Sequence, residues 1–151
     1  MNSVVVREPK TQEEWDAYYL IRYEVLRKPW NQPRQSTKDE FETISYHAIL
    51  ILDDKEIVGT GRLQFNTPTE FAIRSMAVKE GYRSKDYGSH IIKHLESIAL
   101  SKNCKRITLD AREPALKFYE RNGYRIFAPS YLLFGVIPHF KMEKVLSTST
   151  D

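Results

Sequence analysis

The chain has 151 residues, with 23 lysines and arginines against 20 aspartates and glutamates, and a formal net charge of +3. This length predicts one domain, and the content of 41% hydrophobic and 12% aromatic residues excludes an intrinsically disordered chain. The small positive excess is not gathered into runs, so we expect no nucleic-acid partner.

The single cysteine, Cys104, excludes an intrachain disulfide. The longest apolar run, residues 48–52, is too short to span a membrane, and the first nine residues lack the apolar stretch of a signal peptide. We therefore expect a cytoplasmic protein without a membrane partner. One domain is expected over residues 1–146, followed by a polar tail over residues 147–151.

The first half of the chain predicts a strand, a helix and three more strands. A short β-branched run at residues 4–6 predicts the first strand. Thr11 and Glu14 have the spacing of a capping box at the start of a helix that ends at Leu26. A loop over 28–38 and one helical turn within 39–45 follow. Strands are predicted at 47–52, 56–65 and 70–78, with one face of the second formed by Ile57, Gly59, Gly61, Leu63 and Phe65.

The second half predicts two helices and three strands, which makes an α/β fold with a mixed sheet. A loop over 82–88 precedes a helix, and Asn103 suits the left-handed residue that ends it. A strand at 106–110, a short helix at 114–121 and two strands within 124–146 complete the order. The apolar stripe of the first of these helices is Ile91, Ile92, Leu95, Ile98 and Ala99.

The loop before the long helix has features of a phosphate-binding site. A strand–loop–helix junction directs free backbone N–H groups and the positive end of the helix dipole at one point. Arg83 and Lys85 add positive charge, and Gly88 permits a close approach to the backbone. By spacing alone, a helix that binds no ligand is an equally good interpretation, and the loop matches neither a Walker A nor a dinucleotide-binding motif.

Three segments together resemble the GNAT superfamily of acetyl-CoA-dependent N-acetyltransferases. They are RSMAV at 74–78, YRSKDYGS at 82–89 and FYERNGY at 118–124. The family's acetyl-CoA motif is Arg/Gln-x-x-Gly-x-Gly/Ala, and Arg83, Asp86 and Gly88 fall on its three marked positions. Asp86 replaces the first glycine, which predicts that position 86 does not need a glycine-only conformation. Segments 22–26 and 137–142 look most like the ElaA-like branch.

The resemblance implies a single-domain GNAT-like fold, with a mixed, mostly antiparallel central sheet flanked by helices. It implies that a small-molecule or peptide amine directly attacks the thioester of acetyl-CoA. The strand backbone would pair with the pantetheine arm and the loop amides would hold the pyrophosphate. The coenzyme A-binding residues so implied are Met76, Ala77, Val78, Arg83, Ser84, Lys85, Asp86, Tyr87, Gly88, Ser89 and Phe118. A non-catalytic CoA-binding or sensing domain is the alternative.

The resemblance also implies the catalytic residues. Tyr119 lies where many family members keep a tyrosine near the CoA sulfur, and a protonated phenol can donate to a departing thiolate. The interpretation without catalysis is that it packs the short helix onto the sheet. Glu70 on the strand 70–78 is the candidate general base, although spacing does not select it over Glu40, Glu42 or His47.

The remaining candidates carry weaker signals. His90 and His94 stand four apart, but a surface pair is favoured over a zinc site, so no metal is expected. Trp30 either lines an acceptor pocket or clamps its loop, and His139 receives no role. Strands near the C-terminus with exposed aromatic residues are compatible with a homodimer. The segment 83–106 carries a net charge of +4 and the rest of the chain −1, which suits a polyanionic nucleotide.

Overall fold

Within the part of the chain that the structure describes, seven strands and three α-helices make up the fold. The computed structural model describes residues 3–83 and 85–146, so Ser84 and the predicted polar tail lie outside the described residues. The helices are α1 (Gln12–Leu26), α2 (Tyr87–Ser101) and α3 (Leu116–Arg121). The strands are β1 (Val4–Arg7), β2 (Ser45–Leu52), β3 (Glu56–Phe65), β4 (Glu70–Val78), β5 (Arg106–Arg112), β6 (Arg125–Leu133) and β7 (Ile137–Val145).

The strands form one mixed sheet in the order β1-β2-β3-β4-β5-β7-β6. Every neighbouring pair is antiparallel except β4 and β5, which run parallel. The predicted α/β class and element order are confirmed, and β3 and β4 have their predicted bounds. The capping box between Thr11 and Glu14 starts α1, and Asn103 is left-handed with a φ of 63°.

The two faces of the sheet are covered differently. Helices α2 and α3 cover one face, which holds a large apolar core that includes Ile91, Leu95 and Tyr119. Helix α1 covers the other face over a small cluster around Tyr18. Ile57 packs against this second cluster, so the prediction that it shares a face with Gly59 is wrong. A register irregularity opposite Leu50 and Ile51 in β2 skips one residue of β3 and reverses the alternation there.

The parallel pair β4–β5 opens into a gap. The two strands pair at only three positions, from Glu70 beside Arg106 to Ala72 beside Thr108. Beyond those residues neither strand has the other as a ladder partner, while β5 stays paired with β7 along its whole length. The gap therefore lies between residues 73–78 of β4 and residues 109–112 of β5.

A β-bulge in β4 lies along the edge of this gap. Ser75 has a φ of 55°, and the register between β3 and β4 shifts so that residues 75 and 76 face the single residue Gly61. The hydroxyl of Thr60 donates to the carbonyl of Ser75 at 2.9 Å. A Cβ on Gly61 would lie 2.5 Å from a methyl of Ile91, so glycine lets α2 pack directly on the sheet behind the bulge.

The thiol of Cys104 is completely buried beside the first residue of β5. Its Sγ donates to the carbonyls of Thr69 and Arg106, at 3.4 and 3.2 Å, and burial raises the pKa of the thiol.

Among the residues described, no helix is long and apolar enough to cross a membrane.

Candidate active site

The N-terminus of α2 follows a strained residue. Asp86 precedes the helix with φ 62° and ψ 17°, in the left-handed region. The conformation at position 86 is therefore left-handed but not glycine-only, because aspartate is one of the few other residues that tolerate it. Its exposed side chain makes no capping hydrogen bond. It thus leaves the first turn of α2 without a side-chain cap from position 86.

The loop before α2 is tied to the end of β4, and its glycine is needed for packing. The Nε of Arg83 donates to the carbonyl of Val78 at 2.9 Å. A Cβ on Gly88 would lie 2.8 Å from the ring of Phe118 in α3. The close approach that Gly88 permits is therefore made by α3 rather than directly by a ligand.

Side chains in the first turn of α2 are largely engaged in packing. Tyr87 belongs to the apolar core, and the hydroxyl of Ser89 accepts a hydrogen bond from Asn122 at 3.1 Å. Backbone groups are therefore what Tyr87, Gly88 and Ser89 can best offer to a ligand. A depression of about 340 Å³, here called the α2 depression, lies beside this turn and is lined by Asp86, Ser89, His90, Lys93, Arg121 and Asn122.

Tyr119 lies on the face of the sheet that α2 and α3 cover. Its ring is buried, and none of the residues in the described ranges 3–83 and 85–146 pairs with its hydroxyl. Burial raises the pKa of Tyr119 to about 12, although the positive charge of Arg112 opposes the shift. The phenol is therefore protonated at neutral pH and free to donate.

The end of the segment 118–124 holds α3 in place. The hydroxyl of Tyr124 donates to Glu96 of α2 at 2.8 Å, and Lys144 of β7 donates to the same carboxylate at 3.1 Å. Lys144 also donates to the carbonyl of Asn122 at 3.0 Å. Sequence reasoning missed Glu96 and Lys144, because they come from elements far apart in the chain.

On the α1 face, an ion pair bridges the gap between β4 and β5. Arg74 donates to Asp110 at 3.0 Å, and Ser130 of β6 donates to the other oxygen of that carboxylate at 2.5 Å. Sequence reasoning missed this pair. The alternation of Thr108, Asp110 and Arg112 along β5 was the available signal, since it marks one polar face of the strand.

A second depression, of about 170 Å³, lies beyond the end of β5. It is called the Trp30 depression here and is lined by Trp30, Arg112, Glu113, Pro114, Ile137 and Pro138. The guanidinium of Arg112 lies 6.0 Å from the centre of the Trp30 ring. Trp30 therefore lines a depression and also contacts the end of β5. That this depression is an acceptor pocket stays a prediction.

This geometry agrees with the match to a known family. The model of the acetyltransferase (GNAT) family matches residues 11–124. The chain belongs to this family. It is an N-acetyltransferase that uses acetyl-CoA as the donor and an amine as the acceptor.

Relatives and solved structures support this assignment. The chain is 31% identical over 135 residues to the uncharacterized N-acetyltransferase YjcF of Bacillus subtilis (strain 168), covering 89% of this chain and 95% of that protein. Escherichia coli ElaA has a TM-score of 0.78 at 21% identity, with 95% of this chain and 99% of that chain covered. An aminoglycoside 6'-N-acetyltransferase complexed with coenzyme A has a TM-score of 0.79 at 16% identity, with 99% of each chain covered. These two structures show that the GNAT fold is shared.

The structure places Glu70 away from the gap between β4 and β5. Glu70 is the first residue of β4, at the end where β4 and β5 are still paired, and it accepts from Arg106 at 3.2 Å. Met76, at the bulge, is six residues further along, which is roughly 20 Å in a strand. Glu70 and Tyr119 are therefore not brought together, and the geometry favours a surface ion pair over the predicted role as base.

Glu42 lies in a buried ionic network on the α1 face. Its carboxylate accepts from Arg22 at 2.8 and 3.0 Å, from Arg62 at 2.7 Å and from Tyr19 at 2.9 Å. Partial burial would raise its pKa, but the hydrogen bonds and charge of Arg22 outweigh that effect and lower the pKa to about 2. An anion held this firmly is a poor proton acceptor.

Both ring nitrogens of His47 are engaged in the same network. Nδ1 lies 2.6 Å from the hydroxyl of Tyr18, and Nε2 lies 2.8 Å from the carbonyl oxygen of Glu42. Burial lowers the pKa of His47. Of the other histidines, His94 is hydrogen-bonded to the hydroxyl of Tyr46 at 2.7 Å, and His90 lines the α2 depression.

Proposed function

We propose that this GNAT enzyme transfers an acetyl group from acetyl-CoA directly to a primary amine of a small molecule or peptide in a ternary complex, in the cytoplasm. The observation that supports this best is the gap between β4 and β5. Arg112 stands at its open end, where its charge acts on Tyr119 from across the sheet and its side chain lines the Trp30 depression. Donor and acceptor can therefore reach it from opposite faces, as direct transfer requires.

We assign the coenzyme to the side of α2. The backbone of Met76, Ala77 and Val78 faces the gap with no strand partner in β5, which leaves polar groups for the amides of a pantetheine arm. The first turn of α2, with Lys85, suits a pyrophosphate. Lys93 and Arg121 in the α2 depression suit a further phosphate, and Phe118 flanks that turn.

The chemistry needs a polarised carbonyl and a proton for the leaving sulfur. A β-bulge leaves one residue outside the ladder, so the bulge at Ser75 and Met76 supplies a backbone donor for the thioester oxygen. Tyr119 is the proton donor to the departing CoA thiolate. Its buried and protonated phenol suits that role.

We also propose that residues 1–146 form one catalytic domain and that two copies associate through the β6–β7 edge. Strand β6 is an edge strand, and apolar side chains are exposed along and beside it: Ile126, Phe127, Leu132, Val136 and Val145. Light scattering behind a sizing column measures the mass. A monomer at micromolar concentration would contradict the dimer.

Calorimetry with acetyl-CoA and CoA, followed by an amine panel monitored by thiol release, tests the proposed function. The panel contains spermidine, an aminoglycoside, glucosamine 6-phosphate, free amino acids and a lysine peptide. We expect acetyl-CoA at 100 times its Kd to stabilise the fold by about 2.7 kcal/mol, and at least one amine to release CoA thiol. Binding without any transfer would favour the non-catalytic CoA-binding domain instead.

A further inference from the structure

His139 is a buried histidine on the acceptor side of the gap. In β7 it lies opposite Arg112, the last residue of β5. Its neighbours Phe140 and Met142 lie opposite Ala111 and Leu109, and both β5 residues belong to the core under α2. Alternation along the strand therefore directs His139 to the α1 face, where the Trp30 depression lies.

The hydrogen bonds of His139 fix which nitrogen carries its proton. Nδ1 lies 3.0 Å from the carbonyl oxygen of Ile137, and a carbonyl can only accept, so Nδ1 is the N–H donor. In the neutral ring Nε2 then carries a lone pair. Within residues 3–83 and 85–146, Nε2 has no hydrogen-bond partner. Among the described residues, the side-chain atoms sealed without a partner are Thr37 Oγ1 and Arg62 Nε, so Nε2 of His139 is not completely sealed from solvent.

A tyrosine stacks on the imidazole of His139, and charged residues of the two strands that border the gap act on that tyrosine. The ring of Tyr131 in β6 lies 4.9 Å from that of His139, at an interplanar angle of 10°. Burial raises the pKa of Tyr131, with Asp110 adding to the shift and Arg74 and Arg27 opposing it. The charges around the imidazole are therefore Arg112 from β5 and, beyond Tyr131, the three groups just named.

His139 is also level with the reacting end of the gap. Ala72 lies beside Thr108, and the bulge gives residues 75 and 76 one position, so counting along both parallel strands brings Ala77, next to Met76, level with Arg112. His139 is the β7 partner of Arg112. The charge of Arg112 also acts on Tyr119, which lies on the other face of the sheet. The proton donor Tyr119 and the free nitrogen of His139 thus lie at one level, on opposite faces.

We propose that Nε2 of His139 is the general base that deprotonates the acceptor amine, an assignment that rests on the proposed function. Nε2 takes one proton from the ammonium, and the nitrogen lone pair forms the C–N bond at the thioester carbon. The C–S bond breaks with its electron pair on sulfur, which takes the proton of Tyr119. The amide nitrogen's second proton returns to Tyr119 through water, and the imidazolium releases its proton to solvent.

The neighbouring candidates are less suited to this step. Both oxygens of Asp110 are occupied, by Arg74 and Ser130, and Glu42 is held by two arginines. His47 has both nitrogens engaged. Glu70 lies at the paired end of β4. His139 alone among these five residues combines a fixed tautomer with an unoccupied nitrogen next to the Trp30 depression.

The test compares His139→Gln with the matched variant His94→Gln, using an amine from the panel that the wild type acetylates. We expect H139Q to lower kcat/KM by about 10²- to 10³-fold and to lose the acid limb of the pH profile. Its Kd for acetyl-CoA should stay within about threefold of wild type. H94Q should keep both the rate and the acid limb, because His94 is bonded to Tyr46 far along α2.

Two further outcomes separate the proposal from a structural role and from the function itself. Nitrogen NMR of the wild type should show the proton of the neutral His139 ring at Nδ1. If H139Q keeps the acid limb, or if its rate loss is matched by lost acetyl-CoA binding or folding, His139 is not the base. If the wild type acetylates no amine at all, the proposed function fails, and the assignment of His139 fails with it.

Discussion

The two faces of the sheet differ in what holds them together. Under α2 and α3, the contacts are apolar and continuous, from Leu50 to Leu95 and Tyr119. Under α1, a small aromatic cluster adjoins a buried network in which Arg22 and Arg62 share the carboxylate of Glu42. We propose the first face for the coenzyme. The second positions the loops around the acceptor, which differs from one enzyme to the next.

The two kinds of packing also respond differently to change. An apolar core tolerates substitutions that conserve volume, because no single contact dominates. A buried ionic network loses most of its stabilisation when one charge is removed, because the partners stay buried and unpaired. The crossover between α1 and β2 is therefore held in one arrangement, by a few residues rather than by many.

The largest expected effect comes from removing the centre of the network. Glu42→Ala leaves Arg22 and Arg62 buried without their shared carboxylate, so we expect the free energy of unfolding to fall by about 3–5 kcal/mol. Urea denaturation measures it. The control Glu40→Ala removes a nearby exposed carboxylate and should change stability by less than about 0.5 kcal/mol. Equal stabilities of the two variants would contradict the importance of the network.

Acid should weaken the same face first. An ordinary glutamate has a pKa of about 4.3, and the pKa of Glu42 is lowered to about 2 in the folded protein. Its contribution to stability is therefore full above about pH 4.3 and is lost as the pH falls through 2. Denaturation curves of the wild type should show this loss, and those of Glu42→Gln should show less of it. Parallel curves for both proteins would contradict it.

Tyr119→Phe should separate catalysis from binding on the α2 face. We expect kcat to fall by about 10²-fold, because the sulfur loses its proton donor, while acetyl-CoA affinity stays unchanged. The control Tyr124→Phe removes a hydroxyl bonded to Glu96. It should cost about 1 kcal/mol of stability and leave kcat intact. Stopped-flow thiol release measures kcat, and an unchanged value for Y119F would rule out the proposed acid.

Gly88→Ala probes how tightly α3 approaches α2. The added methyl would lie 2.8 Å from Phe118, so we expect a loss of about 1–3 kcal/mol in stability and weaker acetyl-CoA binding. A second change, Phe118→Leu, frees the space and should restore stability. A double-mutant cycle by thermal denaturation measures the coupling, and strictly additive losses would mean that the two residues do not interfere.

The smallest expected effect concerns Asp86. Asp86→Gly relieves a left-handed φ of 62° but also loosens the unfolded chain, so we expect little net change in stability. Asp86→Asn keeps the backbone and removes only the charge. We expect both variants to bind acetyl-CoA more tightly by about 0.3–1 kcal/mol, because each removes an anion near the helix N-terminus that receives the pyrophosphate. Calorimetry measures this, and tighter binding by D86G alone would assign the effect to conformation.

Local signals explain why the α2 face was predictable. The stop at Asn103 and the loop before α2 each depend on a few consecutive residues. The spacing of Arg83, Asp86 and Gly88 identified the loop, but not the conformation of Asp86, since sequence does not report a φ angle.

The α1 face was not predictable in the same way, because its contacts join distant residues. Arg22 and Glu42 are 20 residues apart, and Arg74 and Asp110 are 36 apart. Glu70 was a reasonable candidate as a carboxylate on the correct strand. Only the parallel pairing with Arg106 shows that it stands at the closed end of the gap.

The reactivity of the buried thiol of Cys104 reports whether the protein is folded. It is the one cysteine of the chain, and it is inaccessible in the folded state. A thiol reagent added during turnover therefore reports only the coenzyme that has been released. The same reagent added to a variant without substrate reports the fraction of molecules that have opened, so one chromophore distinguishes a slow enzyme from an unfolded one.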